Sequence, residues 1–170
     1  DGVPVAADAF AMAAARVMAA IDASLDTGTL GVTPTFFEAS TAIAFDLFRE
    51  ARVEAGVVEV GLGGRFDATN VLSPEVSAIT SIAFDHERHL GSTLQAIAFE
   101  KAGIARRGVP LVVGRMPADA AATIGQEALA AGAPVVEAHG GVTAGVSLSA
   151  GRATLALTTP DRAYPPMRLA

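Results

Sequence analysis

Hydrophobic positions recur along the chain with two periods. From Ala6 to Ala23 an alanine-rich run predicts a helix, and the glycines between Thr27 and Thr33 predict a loop after it. Thr33 before Pro34 suits a cap followed by proline at the first helical position, and Thr35-x-x-Glu38 offers an alternative capping box. Phe36, Phe37, Ser40, Ile43, Ala44, Leu47 and Phe48 then fall at helical spacing and predict one buried face.

The texture then shortens. Gly56 to Val60 is a β-branched run that predicts a buried parallel strand, followed by a long polar loop from Gly61 to Pro74. Val76 to Ile82 predicts a second strand and residues 83–91 a loop. Ser92-x-x-Gln95 predicts a capping box opening a helix that ends near Gly103. Pro110 to Val113 predicts a third strand, Pro117 to Ala131 a helix closed by Gly132, and Pro134 to Glu137 a fourth strand. This alternation implies an α/β fold, a mostly parallel sheet flanked by helices. After Gly140 the pattern changes. Val142 to Leu148 and Ala153 to Thr159 flank Ser149-Ala150-Gly151-Arg152 and predict a hairpin, so residues 141–170 should form a small antiparallel sheet beside an α/β part at 1–140.

Composition narrows the class. The 170 residues are 51% hydrophobic, but 37 of them are alanine, and no apolar run reaches the length of a membrane span. The net charge of −6 argues against nucleic-acid binding, and the absence of cysteine excludes disulfides and thiolate metal sites. With no signal-peptide pattern, a cytoplasmic protein is expected. The chain opens on Asp1 and closes at Met167–Ala170 without a turn or cap, which predicts a piece of something longer.

In open α/β sheets, ligands bind beyond the carboxyl ends of the strands. Glu59, the loop from Gly61 to Asn70, and Asp85-His86-Glu87-Arg88-His89 all follow or end expected strands. The loop is not a dinucleotide fingerprint, because the third glycine of G-x-G-x-x-G would fall on Phe66. A Walker A loop is excluded as well, since the single lysine, Lys101, follows Glu100. Glu59 interrupts an apolar strand, where a carboxylate needs a partner or a metal unless the strand end simply reaches water. His86 fits either a ligand or an ordinary polar loop residue. His89 and His139 read as plain loop residues, and Glu38 is explained by its capping box. Lys101 stands at i+7 from Leu94, with Ile97 and Ala98 between, on the stripe expected to face inward. Burial favours the neutral amine, although a lysine near a helix C-terminus also suits the helix dipole and can reach water along its stem. The other eleven basic residues are arginine, which would serve a plain ion pair at least as well.

Several segments in a fixed order carry a more specific signal. Val58-Glu59-Val60-Gly61-Leu62-Gly63-Gly64-Arg65-Phe66-Asp67-Ala68-Thr69-Asn70-Val71 closely resembles a hallmark of the folylpolyglutamate synthase / dihydrofolate synthase family within the Mur ligase superfamily. Ile79 to His86, Leu90 to Leu94, and Ala98 to Ile104 match its later stretches in order, and Pro34-Thr35-Phe36-Phe37-Glu38 resembles the helix start upstream. Ala83-Phe84 departs from the Gly-Leu pair frequent in the family.

The resemblance implies an ATP-dependent ligase that joins L-glutamate to a folate or dihydropteroate carboxylate through an acyl phosphate, with ATP and magnesium (Mg2+) as cofactors. It implies Glu59 and His86 as magnesium ligands and Lys101 as a carbamylated lysine whose oxygens suit a hard cation. Gly63, Arg65, Asp67 and Asn70 follow as loop or substrate residues. The family's phosphate loop and C-terminal domain are not in these 170 residues, so residues 1–170 are expected to be a partial central domain, inactive alone. A monomer serving folate biosynthesis and one-carbon metabolism, with no membrane or nucleic-acid partner, is the expectation. Another Mur-type amino-acid ligase, or a nonenzymatic binding relic of the scaffold, are the alternatives.

Overall fold

A computed structural model describes residues 3–169. The chain divides into two compact units, Asp1–Leu62 with Phe66–Leu72, and Gly63–Arg65 with Ser73–Ala170.

The first unit is helical. Helices α1 (Ala7–Asp26) and α2 (Phe36–Glu50) pack on one another, and a 3-10 turn at Ala68–Val71 contacts α2. Of the two starts open to α2, the structure takes the second. Thr35 is the N-cap, its hydroxyl accepts from the Glu38 N–H at 3.2 Å, and its own N–H donates to the Glu38 carboxylate at 2.7 Å. The face expected to be buried on α2 is only partly covered. Ile43, Ala44 and Leu47 are half-buried, whereas Phe36 is 90% exposed. In place of a deep core, Arg16 of α1 reaches across to Asp46 of α2 through two guanidinium nitrogens.

The expected strand at Gly56–Val60 is not one. The segment carries no regular secondary structure and pairs with no described strand, and Val57 is fully exposed. A β-branched run becomes a strand only where a neighbour accepts its backbone groups, and no described strand pairs with this one.

The second unit contains two sheets. In the first, β1 (Ser77–Ile79), β2 (Leu111–Val113) and β3 (Val135–Glu137) run parallel in that order, with Ser77 opposite Leu111 and Leu111 opposite Val135. Helices α4 (Leu94–Ala102) and α5 (Ala118–Ala131) supply its core, and Ile97, Leu111 and Ile124 are fully buried. Burying side chains of this size stabilises by about 1.5–3 kcal/mol each. Gly132 closes α5 in the left-handed conformation at φ 74°, as its position after the last helical residue predicts. Two local expectations are corrected. Thr93, not Ser92, caps α4, because its hydroxyl accepts from the Ala96 N–H at 3.1 Å. The stretch 83–91 is not all loop, since Glu87–Leu90 forms a one-turn helix, α3, that buries Leu90.

The second sheet is the expected antiparallel one. β4 (Thr143–Ser149) and β5 (Arg152–Thr158) pair through a two-residue turn at Ala150-Gly151, both at positive φ, and β6 (Met167–Leu169) adds to β5. The α/β class, with a parallel sheet, flanking helices and a small antiparallel sheet, is therefore as the sequence implied.

Candidate functional site

The loop that follows Val60 is shared between the two units, and each part is fastened by a different side chain. In the helical unit the Asp67 carboxylate accepts from the Gly61 and Leu62 N–H groups at 3.1 and 3.0 Å, and from the Thr69 N–H at 3.0 Å and the Thr69 hydroxyl. Partial burial pushes this carboxyl up, but the Thr69 hydroxyl and the three N–H groups outweigh it and hold the pKa below the usual aspartate value. The Asn70 N–H closes the turn on the Asp67 carbonyl at 2.9 Å. Gly61 lies against Phe37 so closely that a Cβ there would clash with the Cζ edge of its ring.

In the α/β unit, Gly63, Gly64 and Arg65 lie against the end of α4. Gly63 is buried with φ 69°, a conformation that favours glycine. A Cβ on Gly64 would stand 2.9 Å from the Lys101 carbonyl oxygen. Arg65 donates its N–H to the Glu100 carbonyl at 2.9 Å, and Nη2 bonds the Phe99 carbonyl at 3.0 Å and the Glu127 carboxylate at 2.6 Å. Its guanidinium also lies 3.9 Å from the centre of the Phe99 ring.

The three residues that the resemblance assigns to metal are placed as follows. Glu59 is exposed in the unpaired segment, in the helical unit. His86 precedes α3 in the α/β unit, in the left-handed region at φ 50°, uncommon for a residue with a Cβ. Its side chain is 57% exposed, and Nε2 stands 3.6 Å from Asp85. Lys101 lies in the last turn of α4 and is half-buried; Ala102, with Ile97 and Ala98, completes the buried positions of that helix. The inward stripe read from the sequence is thus real at Ile97 and Ala98 and only partial at Lys101. Among the described residues, no three of His, Asp and Glu group as a metal cage.

Sequence reading missed Glu127 and Phe99. Glu127 lies outside every quoted segment and Phe99 inside one that gave it no role, and their partnership with Arg65 spans 62 and 34 positions, which no local pattern encodes. It also missed a cavity of about 440 Å³ beyond the carboxyl ends of β2 and β3, bordered by Arg115, Glu137 and His139. Of the residues weighed from the sequence only His139, read as a plain loop residue, lines it, and none of those assigned a site role does.

Fold and site together define an α/β domain of the kind that places ligand-binding loops at a parallel sheet's carboxyl edge. The comparisons with known proteins make this more specific. No protein-family model matches the chain. It is 43% identical over 124 residues to the folylpolyglutamate synthase of Lacticaseibacillus casei, a match covering 73% of this chain and 29% of the relative. It is 46% identical over 107 residues to the dihydrofolate synthase/folylpolyglutamate synthase of Bacillus subtilis, covering 62% of this chain and 25% of the relative. A solved folylpolyglutamate synthase complex with AMPPCP and folate superposes with a TM-score of 0.77 at 31% identity, over 91% of this chain and 39% of that one. The chain's homologues in sequence and in fold are thus the folylpolyglutamate and dihydrofolate synthases, the family that its ordered segments resemble. The chain spans less than a third of the length of these curated relatives. Among the described residues, no helix is long and apolar enough to cross a membrane.

Proposed function

We infer that the chain is a partial central domain of an ATP-dependent carboxylate–amine ligase, which adds L-glutamate to a folate or dihydropteroate through an acyl phosphate. The observation that supports the reading is that the fold matches, over 91% of the chain, a synthase bound to AMPPCP, an ATP analogue, and folate. Glutamate, magnesium and a monomeric state belong to this reading through the family resemblance alone, and a place in the cytoplasm is part of the same proposal.

Magnesium fits the donors in one respect. It takes oxygen ligands, protein carboxylates among them, and shares its shell with substrate phosphates; the Glu59 carboxylate and a Lys101 carbamate are donors of that kind. Glu59 and His86, both exposed, would supply two ligands, and Lys101 as a carbamate a third. The ion would neutralise charge developing on the transferred phosphoryl group. The chain's own residues prepare the site: Asp67 holds the Gly61–Leu62 backbone in its turn, and the half-buried Lys101 is set in a helix end whose carbonyls are already partnered. Carbamylation adds carbon dioxide to a neutral amine with loss of one proton, a step open to lysine and closed to an always-charged guanidinium.

The test is glutamate ligation by the full-length protein with ATP and folate or dihydropteroate. Lys101→Arg and Glu59→Gln should each lower turnover by at least about a hundredfold while leaving the thermal midpoint in place. Short carboxylates should partly rescue Lys101→Ala. Full activity of Lys101→Arg would end the carbamate assignment. Absence of ligation by the wild-type protein would end the reading as a whole. The 170 residues alone should neither bind ATP at micromolar concentration nor form an amide bond, which calorimetry and the same assay check.

A further inference from the structure

A helix leaves its last four carbonyls without intrahelical partners, and on α4 these are the carbonyls of Phe99, Glu100, Lys101 and Ala102. One loop residue, Arg65, takes two of them. Its backbone N–H goes to Glu100 and its Nη2 to Phe99. The same Nη2 pairs with Glu127 of α5, and the guanidinium plane covers the Phe99 ring. Arg65 and Glu127 are 28% and 26% exposed, so the pair is shielded from solvent more than a surface pair such as Arg49–Glu50, at 66% and 52%. Two glycines complete the fit. A Cβ on Gly103 would stand 2.5 Å from Arg65 Cα, and one on Gly64 would stand 2.9 Å from the Lys101 carbonyl oxygen. Loop and helix end therefore interlock on both sides of Lys101, at residues 99–100 before it and Gly103 after it.

We propose that Arg65 is a positioning residue for Lys101, bracing the end of α4 against α5 through Glu127 rather than contacting substrate. This rests on the reading of Lys101 as the reactive amine. A positive group near the carbonyl end of a helix is favoured by the helix dipole, but a lysine at 65 would not reproduce the brace. Its point charge cannot stack on Phe99 while bonding both the Phe99 carbonyl and the Glu127 carboxylate. The brace thus needs a planar guanidinium in the loop and a carboxylate on α5.

The experiment compares the full-length wild type with Arg65→Lys, Glu127→Gln and the double variant in two readouts. The first is amide hydrogen exchange at Lys101–Gly103. Arg65→Lys should exchange at least about tenfold faster there, with protection in the core of α5 unchanged. The second is ligation kinetics. kcat should fall about tenfold or more with KM for ATP and folate within about twofold, because an interaction that places a reacting group is lost without loss of substrate contacts. Glu127→Gln should give a smaller change in the same direction, and the double variant should be no worse than Arg65→Lys, since both act through one contact. If Arg65→Lys does not fold, Glu127→Gln alone decides. Unchanged exchange, a rise in KM at constant kcat, or additive effects in the double variant would each overturn the proposal. Should the wild-type protein not ligate glutamate, the proposed function fails, and the exchange data still decide whether the brace exists.

Discussion

Among the described residues, the helical unit fully buries one apolar side chain, Ala13, whereas the α/β unit gathers Ile79, Ile82, Leu90, Ile97, Leu111 and Ile124 with six alanines into one core. The helical unit is fastened instead by polar devices: the Arg16–Asp46–Arg49 network, the Thr35–Glu38 capping box and the Asp67 turn. The three carboxylates held below their ordinary pKa, Glu38, Asp46 and Asp67, all lie there. Apolar burial has no charge to titrate or screen, while exposed ion pairs contribute little and are screened by salt. The two units should therefore fail under different stresses.

Truncating the core tests the apolar side with the largest effect. Leu111→Ala, Ile97→Ala and Ile124→Ala each empty a fully buried position and should cost about 2–5 kcal/mol, read from the urea midpoint. Leu47→Ala on α2 removes a half-buried side chain and should cost less than about 2 kcal/mol. Equal losses at Leu47 and Leu111 would erase the distinction between the units.

The same contrast explains what was legible in the sequence. Helix α5, the parallel order of three strands and the hairpin turn at Ala150-Gly151 follow from local signals: period, a closing glycine, a turn flanked by alternating residues. Gly56–Val60 carried the same strand signal and lacks a partner, because pairing is a property of neighbours and not of the segment. On α2 the helical spacing of Phe36, Phe37 and Phe48 was read correctly as a helix, but burial depends on what packs against a face, which spacing does not contain. At the candidate site, residue types and order pointed to Glu59, His86 and Lys101. The contacts proposed to brace Lys101 join Arg65 to Phe99 and Glu127 across 34 and 62 positions.

A smaller effect sharpens the polar side. Thr35→Ala removes the acceptor for the Glu38 N–H and should destabilise the helical unit by about 1 kcal/mol. Thr35→Ser keeps the hydroxyl and should stay near wild type. Hydrogen exchange should place the Thr35→Ala loss in α2 and leave α5 protected; protection lost first in α5 would contradict the assignment of the cap to the helical unit alone.

The smallest effect expected is acid sensitivity confined to one unit. The Thr35 N–H, then the Thr35 hydroxyl, hold Glu38 below its ordinary 4.5. Arg49, then Arg16, hold Asp46 below 3.8. Asp67 is pushed up by burial and brought below 3.8 by the Thr69 hydroxyl and the Leu62, Thr69 and Gly61 N–H groups. For a carboxylate whose folded pKa is depressed, the stabilisation is complete above the unfolded value and disappears as pH falls through the folded one. The helical unit should accordingly keep its stability from neutral pH to about 4.5 and lose it progressively below. Amides of α1 and α2 should then lose exchange protection as pH falls below about 4.5 while those of α4 and α5 retain it. Glu38→Gln should flatten the upper part of this fall, and molar salt should weaken the share due to Asp46, whose partner arginines are partly exposed. Simultaneous loss of protection in both units along the acid titration would show that apolar and polar fastening are not divided as the structure divides them.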